Sequence, residues 1–294
     1  MSKKINMVIV TYKPNIPLLE NCILSILDTI DNIYIINNSN NKLNIRIKND
    51  KVNIIYLEKN MGISYAQNIG IKKSLKDGAS FILLSDQDTV YPKNYLHNMM
   101  HIYRDGYRIA AIAPLFNDVN QLKSNEGFTK KTLLGFKYFY PNNGQHEVFQ
   151  LIASGQILNT KYLKDIGLMN EELFIDWVDY EWCWRANKKG YKLIGNADVV
   201  IQHVLGDKTK NIGFREVGLR TPLRHYYITR NAFYLALKDT NLDFLHRVAL
   251  FLKSFKYVLG YPILSKPHLK HLKYVLLGFL DGIMGKLGKL DDQN

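Results

Sequence analysis

An α/β fold, with a central, mainly parallel sheet flanked by helices and a basic helical region at the C-terminal end, is the class this 294-residue chain predicts. Three observations predict it. Short apolar runs alternate with stretches of helical periodicity, each run breaks off in polar residues, and the last quarter interleaves Lys and Arg with Phe, Leu, Tyr and Val. Such alternation builds a parallel sheet with its ligand crevice at the carboxyl edge.

Ile5 to Val10 reads as a strand, followed by the breaker group Thr11-Tyr12-Lys13-Pro14-Asn15. Ile16, Leu19, Ile23, Ile26, Leu27 and Ile30 then recur at helical spacing. Ile33 to Ile36 and Val52 to Leu57 are strands ending at Asn37-Asn38-Ser39 and Glu58-Lys59-Asn60. A helix from Ser64 to Lys76, with Ser64 available as cap and Gly78 as stop, leads into the strand Phe81 to Ser85. After Pro92 a helix runs towards Tyr103, and Ile109 to Ala113 is another buried strand. Residues 115–150 lose the rhythm and read as an irregular excursion or small hairpin. Periodicity returns over Phe149 to Leu158, with helices near Thr160 to Ile166 and Val178 to Lys189 and a strand near Lys192 to Val204. The division expected is an α/β domain over residues 1–220 and a basic amphipathic helical region over 221–294.

A chain that is 47% hydrophobic buries a sizeable core, which argues against disorder. The formal charge of +13 implies an anionic partner: nucleic acid, a negatively charged bilayer or a phosphorylated substrate. Cys22 and Cys183 stand far apart without metal-binding spacing, so disulfides and structural zinc are disfavoured and a reducing cytosol fits. Met1 to Val8 contains no long apolar segment or cleavage site, and no secretion signal is expected. In the C-terminal region, charges interrupt the apolar segments well short of the ~20 residues a membrane span needs. A basic helix with one apolar face suits the surface of an anionic membrane. It equally suits a face covering the sheet or a homo-oligomer contact.

The sharpest local feature is Ser85-Asp86-Gln87-Asp88-Thr89 at the end of the run Phe81 to Leu84. Two carboxylates one residue apart where a buried strand stops can hold a hard divalent cation, Mg²⁺ or Mn²⁺, and leave positions open for phosphate oxygens. A solvated turn is the other reading of the same pattern.

Val10-Thr11-Tyr12-Lys13-Pro14, Asn37-Asn38-Ser39, Asn60-Met61-Gly62 with Ala66, Asn68 and Gly70, Ser85-Asp86-Gln87-Asp88, and Asp176-Trp177-Val178-Asp179-Tyr180-Glu181-Trp182-Cys183-Trp184-Arg185 follow in that order. The ordered set resembles the family-two glycosyltransferases of the GT-A fold, and the Ser-Asp-Gln-Asp form is similar to bacterial rhamnosyltransferases that build O-antigen and related cell-surface polysaccharides. The resemblance covers Ile5 to about Asn231. It implies a nucleotide-sugar donor, dTDP-rhamnose first, a lipid-linked glycan acceptor, and a place at the inner face of the cell membrane.

It also implies roles. Asp88 binds the cation directly, Asp86 lies towards the ribose, and His203 matches a downstream His that completes the metal or diphosphate site. Thr11 and Tyr12 offer backbone groups and an aromatic face to a pyrimidine, with Asn60 a further donor contact. Asn37 stands where the family usually has Asp, so it accepts a base N–H without charge assistance. Asp179 is the general base, in the first turn of a helix whose N-terminal N–H groups hold a carboxylate ionised. Asp176, also placed to cap that helix, and Glu181 are competing assignments. Trp177 and Trp182 form a platform for the acceptor sugar, with core packing the alternative for at least one of the tryptophans here. Arg224 and Arg230, in the run Arg-His-Tyr-Tyr-Ile-Thr-Arg-Asn, grip the diphosphate or pair with carboxylates elsewhere.

Rival readings are a same-fold transferase using a UDP-hexose, a noncatalytic membrane-associated partner of a polysaccharide complex, and a basic nucleic-acid-binding module. Dispersal of the charge among apolar helices and the lack of any nucleic-acid-binding signature weigh against the last, and no nucleic acid partner is expected.

Overall fold

The structure, a computed structural model, describes residues 3–103, 106–118, 127–133, 135–203, 209–211, 216–218 and 220–290. The first half alternates as expected: β1 (Ile5–Thr11), α1 (Ile16–Leu24), β2 (Asn32–Asn37), β3 (Val52–Tyr56), α2 (Ile63–Lys76), β4 (Phe81–Ser85), α3 (Tyr95–Met100) and β5 (Ile109–Asp118). A hairpin of β6 (Phe128–Thr132) and β7 (Gly135–Phe139) follows, then β8 (Gln145–Glu147), β9 (Ile157–Asn159), α4 (Thr160–Ile166), α5 (Val178–Lys188) and β10 (Lys192–His203). β11 (Thr209–Asn211) pairs with β12 (Glu216–Gly218) ahead of α6 (Pro222–Lys238), α7 (Phe244–Leu264) and α8 (His268–Met284). Among the described residues, no helix is long and apolar enough to cross a membrane.

Eight strands form the central sheet in the order β3-β2-β1-β4-β9-β5-β10-β8. β1 runs parallel to β2 and β4, β2 to β3, and β5 to β10. The short strand β9 is inserted antiparallel between β4 and β5. Three residues are too few to show a period, which is why the sequence reading merges β9 into a longer segment.

Alternation along the strands divides the core. Met7 and Ile9 of β1 and Phe81 and Leu83 of β4 pack with α1 and α3, whereas Val8, Ile82 and Leu84 face α2, α4 and α5. Gly70 lets α2 lie close on β1, since a Cβ there would come within 2.3 Å of Val8 Cγ1. Gly70 and the fully buried Ala66 of this helix therefore serve packing. Its cap position is Gly62, with Ser64 buried inside the first turn. α1 ends at Leu24, short of the expected Ile30; Ser25 Oγ donates back to Cys22 O at 2.7 Å and the chain continues as turns.

Candidate active site

The carboxyl ends of β1, β2 and β4 open into a cleft of about 890 Å³. Its lining brings together Tyr12, Asn38, Asn60, Asp86, Asp88, Trp177, Asp179 and Arg224, from elements as distant in sequence as β1 and α6.

On the strand-end side, hydrogen bonds join the loops into one ledge. Thr11 O accepts from Asn38 N at 2.8 Å, and Tyr12 N donates to Gln87 Oε1 at 2.9 Å, so the residue between the two carboxylates fixes the exit of β1. The Tyr12 ring is 47% exposed and lies on the cleft. Asn38 donates from Nδ2 to Asn60 Oδ1 and Gly62 O and accepts from Met61 N at 2.8 Å, locking the turn ahead of α2. Asn37 sits behind this ledge, 1% exposed, with Nδ2 on Asn41 O and Oδ1 accepting from Ser39 Oγ. Thr11 is fully buried as well. Of the paired asparagines, Asn38 is the one that reaches the cleft, and only the fold distinguishes it from its neighbour.

All five residues of β4 are buried, and the chain emerges at the half-buried Asp86 and Asp88. Asp86 N donates to Ser154 Oγ at 3.3 Å, and Ser154 Oγ shares a 2.8 Å hydrogen bond with Thr89 Oγ1. The next residue back, Ala153, donates its N–H to Asp179 Oδ2 at 3.2 Å. Asp86 and Asp179 are thus anchored to adjacent residues of one segment, which sequence periodicity had no means of placing.

Asp179 stands in the first turn of α5, half-buried, with Oδ1 accepting from Tyr180 N at 2.9 Å. Burial pushes its carboxyl up to about 7, with Asp176 adding to the rise and the N–H groups of Tyr180 and Ala153 opposing it. The helix terminus was expected to hold it ionised; desolvation outweighs that effect here. A carboxyl titrating near neutrality is well matched to accepting a hydroxyl proton.

The segment leading to Asp179 is strained. Phe174, Asp176 and Trp177 all adopt positive φ, between 61° and 67°, a region costing on the order of 1–3 kcal/mol for a non-glycine residue. Trp177 occupies the cap position of α5. Asp176 instead takes Arg224 through Nε at 3.2–3.3 Å and Nη2 at 3.1 Å. Desolvation works against the Arg224 charge, but Asp176, with Asp86 further off, more than restores it. Asn231 Nδ2 bonds the carbonyls of Leu173, Ile175 and Asp176 at 2.9–3.1 Å. Arg230, 1% exposed, donates to Glu172 O, Leu173 O, Gly288 O and Asn231 Oδ1, which places it behind the loop rather than in the cleft.

Of the two tryptophans assigned to an acceptor, Trp177 lines the cleft, with Nε1 donating to Ile228 O at 3.1 Å. Trp182 is fully buried and donates to Gly167 O, and Trp184 is core beside Phe136. Glu181 is 5% exposed and paired with Arg185 at 2.6 Å. The backbone of His203 closes β10, while its side chain lies outside the described residues. Asp86 and Asp88 supply oxygen donors of the kind a hard divalent cation takes, and among the described residues no third His, Cys, Asp or Glu joins them at one metal-sized point.

The profile of Glycosyl transferase family 2 matches residues 7–167, more than half of the chain. The chain is 29% identical to the dTDP-rhamnosyl transferase RfbF of Shigella flexneri over 98% of both sequences. Among solved structures, it is similar to GalNAc-T7 with UDP, GalNAc and Mn²⁺, with a TM-score of 0.60 and 15% identity, covering 90% of this chain and 57% of that one. It is also similar to residues 1–349 of S. aureus TarS, with a TM-score of 0.58 and 15% identity over 95% of this chain and 81% of that one. The mannosyltransferase PcManGT of Pyrobaculum calidifontis, in complex with GDP-Man and Mn²⁺, gives 0.53 at 11% identity, over 96% and 88% of the two chains.

Proposed function

Because the chain belongs to glycosyl transferase family 2, we propose that this glycosyltransferase moves L-rhamnose from dTDP-rhamnose to a hydroxyl of a lipid-linked cell-surface glycan, with inversion. The donor is carried over from the relative named for it, which aligns along nearly the whole chain. The observation that carries the mechanism is the tether from Asp86 through Ser154 and Ala153 to Asp179, which sets a base near neutrality beside the strand-end carboxylates.

In this reading the donor nucleotide lies along Tyr12, Asn38 and Asn60, and Trp177 offers its face to the acceptor sugar. Asp179 accepts the proton of the acceptor hydroxyl. The hydroxyl oxygen bonds to the anomeric carbon as the bond from that carbon to the diphosphate oxygen breaks, and dTDP leaves with the electron pair. Asp86 and Asp88 would hold Mg²⁺ or Mn²⁺, which when bound supplies countercharge to the departing diphosphate. Residues 1–220 act as the catalytic domain, and the 221–294 region closes its acceptor end through Leu223 and Arg224 on the cleft.

Thermal stabilisation across a panel of dTDP-rhamnose, UDP-glucose and UDP-galactose tests the donor, since a ligand at ~100 times its Kd adds roughly 2.7 kcal/mol. Stabilisation by dTDP-rhamnose, with rhamnosyl product by mass spectrometry, is the expected result. Stabilisation by a UDP-hexose alone would move the assignment to that donor.

A further inference from the structure

Both α7 and α8 carry a stripe of exposed apolar side chains. On α7, Leu245, Val248, Leu252, Phe255, Leu259 and Ile263 recur every three or four residues, the spacing of one helix face, with Leu259 and Ile263 66% and 70% exposed. On α8, Leu269, Leu272, Leu276, Leu280 and Ile283 repeat the pattern, Leu269 being 82% exposed. Packing occupies other parts of these helices, with Phe255 at the border between the two: Phe233 of α6 meets Phe251, Phe255 and Phe279 edge-on, and Gly278 and Gly282 bring α8 down onto the main chain of Tyr226 and Arg230. Of the 24 large apolar side chains exposed among the described residues, 13 fall on α7 and α8, and contiguous apolar patches of this kind mark interaction surfaces.

Apart from Asp243, which stands at the cap position of α7 and is paired with Lys131, the charge along these stripes has one sign. From Phe244 to Leu290 the sequence has eight Lys and Arg and a single carboxylate, Asp281, which is 6% exposed and accepts from Tyr226 Oη at 2.8 Å. A second copy docked stripe to stripe would bring these cations together. We propose that α7 and α8 dock on an anionic lipid surface, which receives apolar side chains at the acyl boundary and lysines among its headgroups. α7 also adjoins the cleft: Tyr257 lies edge-on to Trp177 at 6.4 Å, and Tyr261 stacks on His225, next to Arg224. Docking therefore holds the acceptor end of the cleft about one helix diameter, ~10 Å, from the lipid. This deepens the reading of a lipid-linked acceptor, on which its purpose rests.

Flotation of the purified full chain with vesicles tests it without any sugar present. The chain is expected to float with phosphatidylglycerol and phosphatidylethanolamine vesicles, not with phosphatidylcholine alone, and less well as salt rises from about 0.1 M to about 0.5 M. Leu259→Ser/Ile263→Ser/Leu269→Ser and Lys266→Gln/Lys270→Gln/Lys273→Gln are each expected to lower partitioning on the order of a hundredfold. All six side chains are exposed, so melting temperatures should hold and certify the fold. A wild-type chain that stays unbound, variants that float like it, or a leucine variant that turns a dimer into monomers with vesicle binding unchanged would each overturn the proposal. Donor-induced stabilisation on the same samples separates the two readings: flotation lost with donor binding kept sinks the lipid surface alone, and the reverse sinks the donor assignment alone.

Discussion

On the strand-end side of the cleft, Asn38, Asn60, Gln87 and Asp86 follow the carboxyl ends of parallel strands, Asn38 bonding to Asn60, Gln87 to the main chain of Tyr12 and Asp86 to Ser154. On the helix side, Asp176, Trp177 and Asp179 ride on a loop with three positive-φ residues, held by Asn231 and Arg224. The first side is preset by the sheet, whose register leaves those side chains little choice. The second is imposed on its residues by a helix further along, 48 positions from Asp176 to Arg224 and 55 to Asn231. A site assembled this way can keep the donor platform rigid while its base is held in an environment that costs stability, as functional sites often are.

The most forceful way to break the helix side is Asp179→Asn. Loss of the base is expected to lower kcat by about 10²–10⁴-fold with donor binding preserved. The same change reports on stability. A carboxyl raised in the folded state from its ordinary value of about 4 to about 7 takes up protons on folding. Native stability therefore falls as pH rises through that window, and the cost is fully present above it. At about pH 8 the Asn variant should melt higher than the wild type, and below about pH 4 the difference should vanish. An inactive variant that gains nothing at high pH would mean Asp179 is not held in a desolvated state.

Breaking the strand-end side should give a smaller loss with a different signature. Asp88→Ala is expected to lower kcat by about 10²–10³-fold and to weaken donor-induced stabilisation, and EDTA should have the same effect on the wild type and little on the variant. Turnover near the wild-type level in EDTA would remove the cation from the mechanism.

These two sides were also unequally legible in the sequence. Asp86 and Asp88 could be found because a fully apolar strand stops in front of them. The parallel sheet was legible for the same reason, since each strand ends in a run of polar residues. Trp177 and Trp182 could not be told apart, because both flank the same helix start and only the left-handed backbone at Trp177 turns one to the cleft and leaves the other in the core. Asn231 carries no local sign of its role, since its three acceptors lie 55 to 58 residues upstream in a loop without periodicity. Arg230 reads as a phosphate ligand in a basic run, and only burial shows that its donors go to backbone carbonyls.

Asn231→Ala asks whether the strained loop depends on that staple. Three carbonyls, that of Leu173 buried and those of Ile175 and Asp176 part-buried, would lose a donor, so a destabilisation of about 1–3 kcal/mol is expected in chemical denaturation. Because Trp177 and Asp179 follow directly on the loop, kcat should fall while the donor still binds to the strand ends. Equal losses in both would show that the two sides are one cooperative unit.

The finest probe is the charge behind the base. Asp176 raises the Asp179 carboxyl, after burial, by its own negative charge, while Arg224 pairs with Asp176. Replacing Asp176 with Asn removes that repulsion, so Asp179 should lose its proton at lower pH and the acid limb of the kcat/KM profile should move to lower pH. Replacing Arg224 with Gln leaves Asp176 charged and without its bidentate partner, so the same limb should move to higher pH. Opposite displacements from two members of one ion pair are not produced by general loosening of the loop, which would lower the plateau and leave the limb in place. Limbs that move together, or not at all, would mean that the titrating group in the profile is some other residue than Asp179.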